Sequence, residues 1–272
     1  MLGVNNMSVL PEFYINAVTA IGIRTTKEVK WIGTGFFAIR TIDAEGNGAP
    51  FLITNKHVLE GNDVVVLRLR KKNRSEFVEV DATLKRNGTL LYHVHPNSNI
   101  DIAVLPLNGD IIVQQELDYA AFNIDSHAMD SITLRNEGVD EGSLVHMLGF
   151  PMGLVNSSST LPICRLGCVA RLSEAQIAET QNFLVDIQNF PGNSGSPIVT
   201  RPEITSITGT KALNKSVLIG IVHSYLPYKE SLVNTQTNEL VEIRSENSGI
   251  AMVHPVELIR EVVDLFVKCY QK

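Results

Sequence analysis

The chain has 272 residues, of which 44% are hydrophobic and 19% are charged, and its formal net charge is −6. This composition is typical of a globular protein with a sizeable core and leaves little room for disorder. Basic residues form only one short cluster, between positions 68 and 74. The charge pattern therefore argues against a nucleic-acid partner.

No apolar run reaches the length of about eighteen residues that a membrane helix needs, and the first ten residues lack a secretory signal pattern. The three cysteines, Cys164, Cys168 and Cys269, are an odd and sparse set for a secreted protein. We therefore expect a cytoplasmic protein without a membrane partner. Cys164 and Cys168 are expected to be small core residues, not metal ligands.

Short apolar or alternating runs predict β-strands in two groups, at residues 17–107 and 144–253. The segment 108–142 carries few sustained patterns, so we place the connection between two strand-rich halves there. After Pro255, apolar residues recur at helical spacing and predict an α-helix at 255–270. A shorter helix is expected before Ala17.

A serine lies between two glycines in the segment Pro191-Gly192-Asn193-Ser194-Gly195-Ser196-Pro197. Such a loop can expose the serine oxygen while nearby backbone N–H groups point at a developing oxyanion, as acyl transfer requires. The same segment is also compatible with an ordinary glycine-serine turn.

Two further segments carry titratable side chains at the ends of predicted strands. His57 follows the apolar run Phe51-Leu52-Ile53-Thr54, which suits a general base, although a histidine there is also compatible with a structural role. Asp101 stands at the start of the run Ile102-Ala103-Val104-Leu105, where it could equally cap a turn. Together, the order His, Asp, Ser is that of chymotrypsin and differs from the subtilisin and α/β-hydrolase orders.

These segments resemble the trypsin-like serine peptidases, and the HtrA-type branch more than the digestive enzymes. The resemblance extends to Gly33-Thr34-Gly35-Phe36, Leu148-Gly149-Phe150-Pro151, Leu218-Ile219-Gly220-Ile221 and Gly249-Ile250-Ala251-Met252. It implies one peptidase unit over residues 1–272, made of two antiparallel six-stranded β-barrels. The N-terminal barrel is expected at 15–107, the connection at 108–142, the C-terminal barrel at 143–254 and the helix at 255–270, with no PDZ domain following.

The resemblance also implies a role for each site residue. Ser194 is the expected nucleophile, His57 the base and Asp101 its partner, with the Gly192 and Ser194 amides as the oxyanion hole. Asn193 stands where zymogen-activated relatives have an aspartate, so activation by amino-terminal trimming is not expected. The remaining histidines (His93, His95, His127, His146 and His254) are assigned structural roles.

The resemblance places the substrate pocket at Gln188, at Val222, His223, Ser224 and Tyr225, and at Ile250, Ala251 and Met252. The expected partner is a protein or peptide substrate, without metal or organic cofactor. Because no expected pocket residue is acidic, apolar side chains are preferred before the cleaved bond, unless a protonated His223 selects an acidic one. A regulatory protein that orders the loop from Asn189 to Gly192 is a further expectation.

Two other functions fit the same sequence. The first is a protein-binding module of the same fold whose oxyanion loop stays collapsed until a partner arrives. The second is an esterase that uses the same three residues, because ester cleavage is the less demanding reaction.

Overall fold

The computed structural model describes residues 9–42, 48–73, 76–156, 159–203, 205–206 and 208–270. Over these ranges, the first half of the chain contains ten strands: β1 (Val18–Arg24), β2 (Val29–Thr41), β3 (Gly48–Thr54), β4 (Val64–Arg70), β5 (Phe77–Thr83), β6 (Lys85–Arg86), β7 (Thr89–Leu90), β8 (His93–Val94), β9 (Ala103–Pro106) and β10 (Phe122–Asn123). The described part of the second half contains six: β11 (Leu144–Gly149), β12 (Ile163–Arg171), β13 (Phe183–Asp186), β14 (Pro197–Thr200), β15 (Leu218–Val233) and β16 (Leu240–Pro255).

Six α-helices accompany the strands in the described residues: α1 (Glu12–Asn16), α2 (Lys56–Leu59), α3 (Gly109–Gln114), α4 (Ser131–Asn136), α5 (Glu174–Thr180) and α6 (Val256–Tyr270). The predicted carboxy-terminal helix is thus confirmed as α6. Its apolar face, which includes Ile259, Val262 and Val263, is buried in the main core. The short helix expected before Ala17 is α1.

The second half forms a closed antiparallel barrel in the order β11, β12, β13, β16, β15 and β14. Its interior is filled by apolar side chains from these strands, among them Val145, Val185, Ile198 and Val253. The prediction of a six-stranded barrel is confirmed for this half of the chain.

The first half is an eight-stranded sheet in the order β5, β4, β1, β2, β3, β9 and β8, with β10 paired to β2. Leu67 of β4 and Leu105 of β9 belong to the same apolar cluster, so the sheet curls around its core. In the described residues no ladder joins the end strands β5 and β8, because the intervening β6 and β7 pair only with each other. The predicted closure of the first barrel is therefore not confirmed in the described residues, where these strands form a curled sheet without a closing ladder.

One apolar core joins the two halves of the molecule. It includes Phe36 and Phe51 from the first half, Phe150 and Leu218 from the second, and the buried face of α6. Burial of apolar surface is the dominant favourable term in folding, so this shared core gives the halves a defined relative position.

The last two strands are longer than the sequence predicted. We expected strands at Val217 to His223 and at Gly249 to Val253, whereas β15 and β16 continue past the barrel as a hairpin in which residues 226–246 are all exposed. Val222 still exchanges backbone hydrogen bonds with Gly195 and Ser196, but beyond Val222 the described residues make backbone hydrogen bonds to β15 only from β16. From His223 onward the other edge of β15 therefore has no strand beside it in the described residues.

Candidate active site

His57 is presented by a single helical turn that follows the buried strand β3. Asn55 has an extended backbone conformation and ends the strand, and α2 begins at the next residue. Val58 and Leu59 are buried and anchor the turn, whereas 48% of the His57 side-chain surface stays exposed. The buried neighbours thus hold the turn in place while the imidazole stays at the protein surface.

Asp101 lies between the buried residues Ile100 and Ile102, just before β9. Its Oδ1 accepts the backbone N–H of His57 at 3.0 Å, and its Oδ2 faces His57 Nδ1 in a short hydrogen bond. The Asn55 side-chain amide donates to the Asp101 carbonyl at 2.7 Å. Both the carboxylate and the backbone of Asp101 are therefore tied to the segment that carries His57.

The Asp101 carboxyl is held in its ionised form. Burial raises its pKa, but the hydrogen bonds from His57 and the electrostatic interaction with that ring together outweigh burial, so the net effect lowers the pKa. A carboxylate in this state favours the Nδ1–H tautomer of His57, which leaves Nε2 free to accept a proton.

The loop around Ser194 requires glycine at two positions. Gly192 has φ +95° and a Cβ there would lie 2.4 Å from the Phe150 carbonyl oxygen. Gly195 has φ +90° and its Cβ would lie 1.9 Å from the Thr34 carbonyl oxygen. Side chains rarely adopt such backbone angles, and here they would also collide with backbone atoms. The glycines let the loop pack tightly while Ser194 stays half-buried.

Thr34, which is fully buried, connects this loop to both halves of the molecule. Its hydroxyl donates to the Gly192 carbonyl at 2.7 Å and accepts the Phe150 N–H at 3.0 Å. Its backbone N–H donates to the Ser194 carbonyl at 2.9 Å, and its carbonyl accepts the Thr54 hydroxyl at 2.7 Å. Thr34 thus links the Ser194 loop to the strand that ends beside His57.

The Gly192 and Ser194 amides meet the first requirement for an oxyanion hole. Neither N–H donates a hydrogen bond to any residue in the described ranges. The Gly192 carbonyl, by contrast, is held by Thr34. Within the same ranges, no hydrogen bond joins the Ser194 hydroxyl to His57. Such bonds are often loose without substrate and tighten when it binds.

Asn193 lies fully buried under this loop. Its side chain points toward Gly149, and neither amide atom has a hydrogen-bond partner among the described residues. The neighbouring Ser196 hydroxyl is buried and without a partner in the same way. An uncharged amide at this position needs no buried cation to neutralise it, unlike an aspartate.

The residues expected to bind substrate occupy different environments. Val222 and Ala251 are fully buried in the core of the barrel. Five further residues are partly buried: Ile250, Met252, His223, Ser224 and Tyr225. Gln188 is exposed, and its side chain lies close to Gly249, with Nε2 3.4 Å from the position that a Cβ would take there. The Ser224 carbonyl accepts the Asn189 side-chain amide at 3.0 Å. This contact ties β15 to the loop that precedes Ser194.

A pair of histidines lies directly behind Asp101, and the sequence did not reveal it. The fully buried His254 accepts the Asp101 backbone N–H at its Nε2, at 3.0 Å, and its Nδ1 lies 2.8 Å from the Gln181 carbonyl oxygen. The His223 ring stacks on His254 with centroids 4.1 Å apart, and its Nε2 lies 2.7 Å from Asn182 Oδ1. The contacts of these two histidines join residues far apart in sequence, so no local sequence pattern predicts them.

Among the described residues, no group of three or more His, Cys, Asp and Glu side chains has an arrangement that could hold a metal ion. No helix in the described part of the chain is long and apolar enough to cross a membrane. Cys164 is exposed, so the expectation that it is a core residue was wrong; it lies near the start of β12, a strand with a single fully buried position.

Comparison with known families agrees with this geometry. The sequence profile of the trypsin-like peptidase domain matches residues 33–203. The chain therefore belongs to the trypsin-like peptidase family, and the predicted resemblance is confirmed. No curated protein is significantly similar to the chain in sequence.

Many solved structures are similar to this chain, including two protease structures. One is the HtrA-type protease AlgW with a decapeptide, at 17% identity and a TM-score of 0.51; the match covers 93% of this chain and 65% of that one. The other is the apo form of the MamO protease domain from Magnetospirillum magneticum, at 11% identity and a TM-score of 0.45, with 92% and 97% covered. The chain thus spans somewhat less than two thirds of the AlgW chain.

Proposed function

We propose that this protein is a serine endopeptidase that cleaves peptide bonds through an acyl-enzyme, with Ser194, His57 and Asp101 as its catalytic residues. The observation that carries the proposal is the contact of Asp101 with His57 through both carboxylate oxygens. A carboxylate that fixes the ring and its tautomer is the arrangement that a catalytic base needs.

The proposed reaction begins when the Ser194 oxygen attacks the carbonyl carbon of the substrate while His57 Nε2 takes the hydroxyl proton. The negative charge that develops on the carbonyl oxygen is stabilised by the Gly192 and Ser194 amides, which are unengaged in the described chain. His57 then gives the proton to the leaving amine. Water attacks the acyl-enzyme in the same way and regenerates Ser194.

The open edge of β15 supports a protein or peptide as the substrate. Gly195 donates to the Val222 carbonyl and Val222 donates to the Ser196 carbonyl, both at 2.9 Å, so β15 runs directly past the nucleophile loop. His223 to Tyr225 follow where no strand pairs with this edge in the described residues, and only the Ser224 carbonyl is engaged, by the Asn189 side chain. An extended peptide can add to such an edge as a further strand, which gives backbone affinity before any side chain is selected.

One observation favours the partner-gated binding module as the second candidate. The Ser194 hydroxyl is not hydrogen-bonded to His57 within the described residues, so the nucleophile is not yet activated in this state. In that case a partner that binds the Asn189 to Gly192 loop would complete the site.

Hydrolysis of an unfolded protein and of a small activated ester by the same preparation tests the proposal. We expect both substrates to be cleaved, and both activities to be lost in Ser194→Ala. Ester cleavage alone would support an esterase. Loss of neither activity in Ser194→Ala would overturn the proposal, because the hydroxyl is the proposed nucleophile. Cleavage that appears only after a partner is added would favour the gated module.

A further inference from the structure

His254 is the second-last residue of β16 in the second barrel, and its side chain contacts the segment that carries Asp101. The ring is fully buried, and both of its nitrogens are engaged with backbone groups. One partner is the Gln181 carbonyl, from the second half, and the other is the Asp101 N–H, from the first half. The ring is thus a polar bridge between the two halves at the back of the site.

The two contacts define the protonation state of the ring. A carbonyl oxygen can only accept, so Nδ1 must carry the hydrogen that it donates to Gln181. The Asp101 backbone N–H can only donate, so Nε2 must be without hydrogen. Only the neutral Nδ1–H tautomer of His254 satisfies both bonds. Burial is the main cause that lowers the pKa of His254, which keeps the ring neutral near neutral pH.

His223 reinforces this state. The Asn182 side chain donates to the Thr180 carbonyl at 2.6 Å, which turns its oxygen toward His223, so His223 carries its hydrogen on Nε2. Burial first and His254 second lower the pKa of His223 to about 3. Two neutral rings stacked at 4.1 Å pack well, whereas two charged rings at that distance would repel.

We propose that His254 is a positioning residue, which holds the backbone of Asp101 so that both carboxylate oxygens meet His57. This inference rests on the proposed function. The Asp101 carbonyl is fixed by Asn55, from the same half of the molecule, and the N–H by His254, from the other half. The His254 bond therefore ties the carboxylate that orients the base to the barrel that carries the nucleophile.

The proposal predicts a pH response as well. The charged and titratable groups that face the His254 ring are Asp101, which contacts it directly from the first half, His223 on the neighbouring strand and, at longer range, His95. A proton added to His254 can bind only at Nε2, where it points at the hydrogen of the Asp101 N–H and removes the acceptor of that bond. Acid should therefore break the Asp101 bond, and a variant without the ring should lose this transition.

The test compares His254→Phe, which keeps the ring shape but cannot accept the Asp101 N–H, with His254→Gln, whose side-chain oxygen can. His146→Phe is the matched control, because His146 is a buried histidine of the same barrel away from Asp101. We expect His254→Phe to lower kcat about 10- to 100-fold with little change in KM, since small displacements of catalytic groups have effects of this size. His254→Gln should recover part of the loss, and His146→Phe should resemble the wild type.

The second readout does not depend on turnover. The proton shared by His57 and Asp101 should give a downfield NMR resonance in the wild type, in His254→Gln and in His146→Phe, and this resonance should shift or vanish in His254→Phe. An unchanged resonance and kcat in folded His254→Phe would overturn the proposal. If that variant does not fold, hydrogen exchange of the folded wild type replaces it: an Asp101 amide as unprotected as in an unfolded chain would show that His254 does not hold it, and would also overturn the proposal. An inactive wild type would reject the proposed function, and the resonance would still decide the role of His254.

Discussion

Asp101 contacts His57 twice, through Oδ1 to the backbone N–H and through Oδ2 to the imidazole Nδ1. The first bond fixes the helical turn that carries the histidine, and the second fixes the ring. The two residues are 44 positions apart, and each follows or precedes a buried strand of the same curled sheet. Pairing of β3 with β9 is what brings them together.

Replacement of Asp101 by asparagine tests the role of this carboxylate. The substitution keeps the size of the side chain, but the new amide can favour the wrong tautomer of His57. For Asp101→Asn we expect a folded protein whose kcat at neutral pH is about 10⁴-fold lower, as in related triads. Peptide or ester hydrolysis measures the effect, and circular dichroism checks the fold. A wild-type rate in this variant would assign the orienting role to another group.

Thr34→Val tests the link between the oxyanion loop and the rest of the molecule. Valine has the same shape, but it leaves the Gly192 carbonyl and the Phe150 N–H without the hydroxyl. Loss of such buried partners costs about 1–3 kcal/mol, and we expect kcat to fall as the loop loses its anchor. The matched control is Thr200→Val, since the buried Thr200 hydroxyl also bridges two backbone groups, Lys215 and Val217, away from the site.

Urea denaturation with enzyme assays separates the two threonines. Both variants should have a lower free energy of unfolding than the wild type, whereas only Thr34→Val should have a lower kcat. Equal activity in the two variants would show that the Thr34 hydroxyl does not shape the oxyanion loop.

Stability should fall as the solution is made acidic. The folded-state pKa values of His223, about 3, and of His254 lie below the ordinary value of 6.5, so the unfolded chain binds more protons once the pH drops below about 6.5. Each such histidine then costs about 1.4 kcal/mol per pH unit until its folded pKa is reached. Asp101 acts in the same direction: its lowered pKa gives stability that is present above its unfolded value and lost as the pH falls through the folded value.

Urea denaturation at about pH 7 and about pH 5 measures this dependence. His223→Gln should weaken it, because one titrating ring is removed. Equal unfolding free energies of the wild type at the two pH values would contradict the burial of these rings as neutral groups.

The charges of the expected pocket residues predict which substrate side chain precedes the cleaved bond. His223 stays neutral at neutral pH and its Nε2 is engaged by Asn182, which disfavours recognition of an acidic side chain. The expected pocket floor, Gln188, is also uncharged. A buried Arg or Lys would therefore remain unpaired, and apolar residues should precede the cleaved bond. A peptide library measures the preference. Dominant cleavage after Arg or Lys would defeat this pocket, and Glu preference lost in His223→Ala would assign the recognition to His223.

Much of the architecture was accessible from sequence because strands, glycine turns and the terminal helix leave local patterns. The alternating runs predicted most of the long strands, and Gly192 and Gly195 marked a loop that only glycine can form. The helix after Pro255 was visible in the spacing of its apolar residues. The family resemblance then joined His57, Asp101 and Ser194 into one hypothesis.

What the sequence did not reveal depends on contacts between distant elements. His254 was assigned a structural role, yet its ring reaches Asp101, 153 positions away. Thr34 belongs to the segment Gly33-Thr34-Gly35-Phe36, but its bonds to Gly192 and Phe150 form only when the two halves pack together. Closure of the first sheet was not accessible either, because it depends on how the two-residue strands β6 and β7 pair, and local propensity does not decide that pairing.

Covalent labelling tests most directly whether Ser194 is the catalytic nucleophile. The protein is incubated with a fluorophosphonate probe and analysed by intact-mass and peptide mass spectrometry. We predict one equivalent of label on Ser194, much slower labelling in Asp101→Asn and none in Ser194→Ala. A folded wild-type protein that stays unlabelled, or that is labelled equally in Ser194→Ala, would contradict the account.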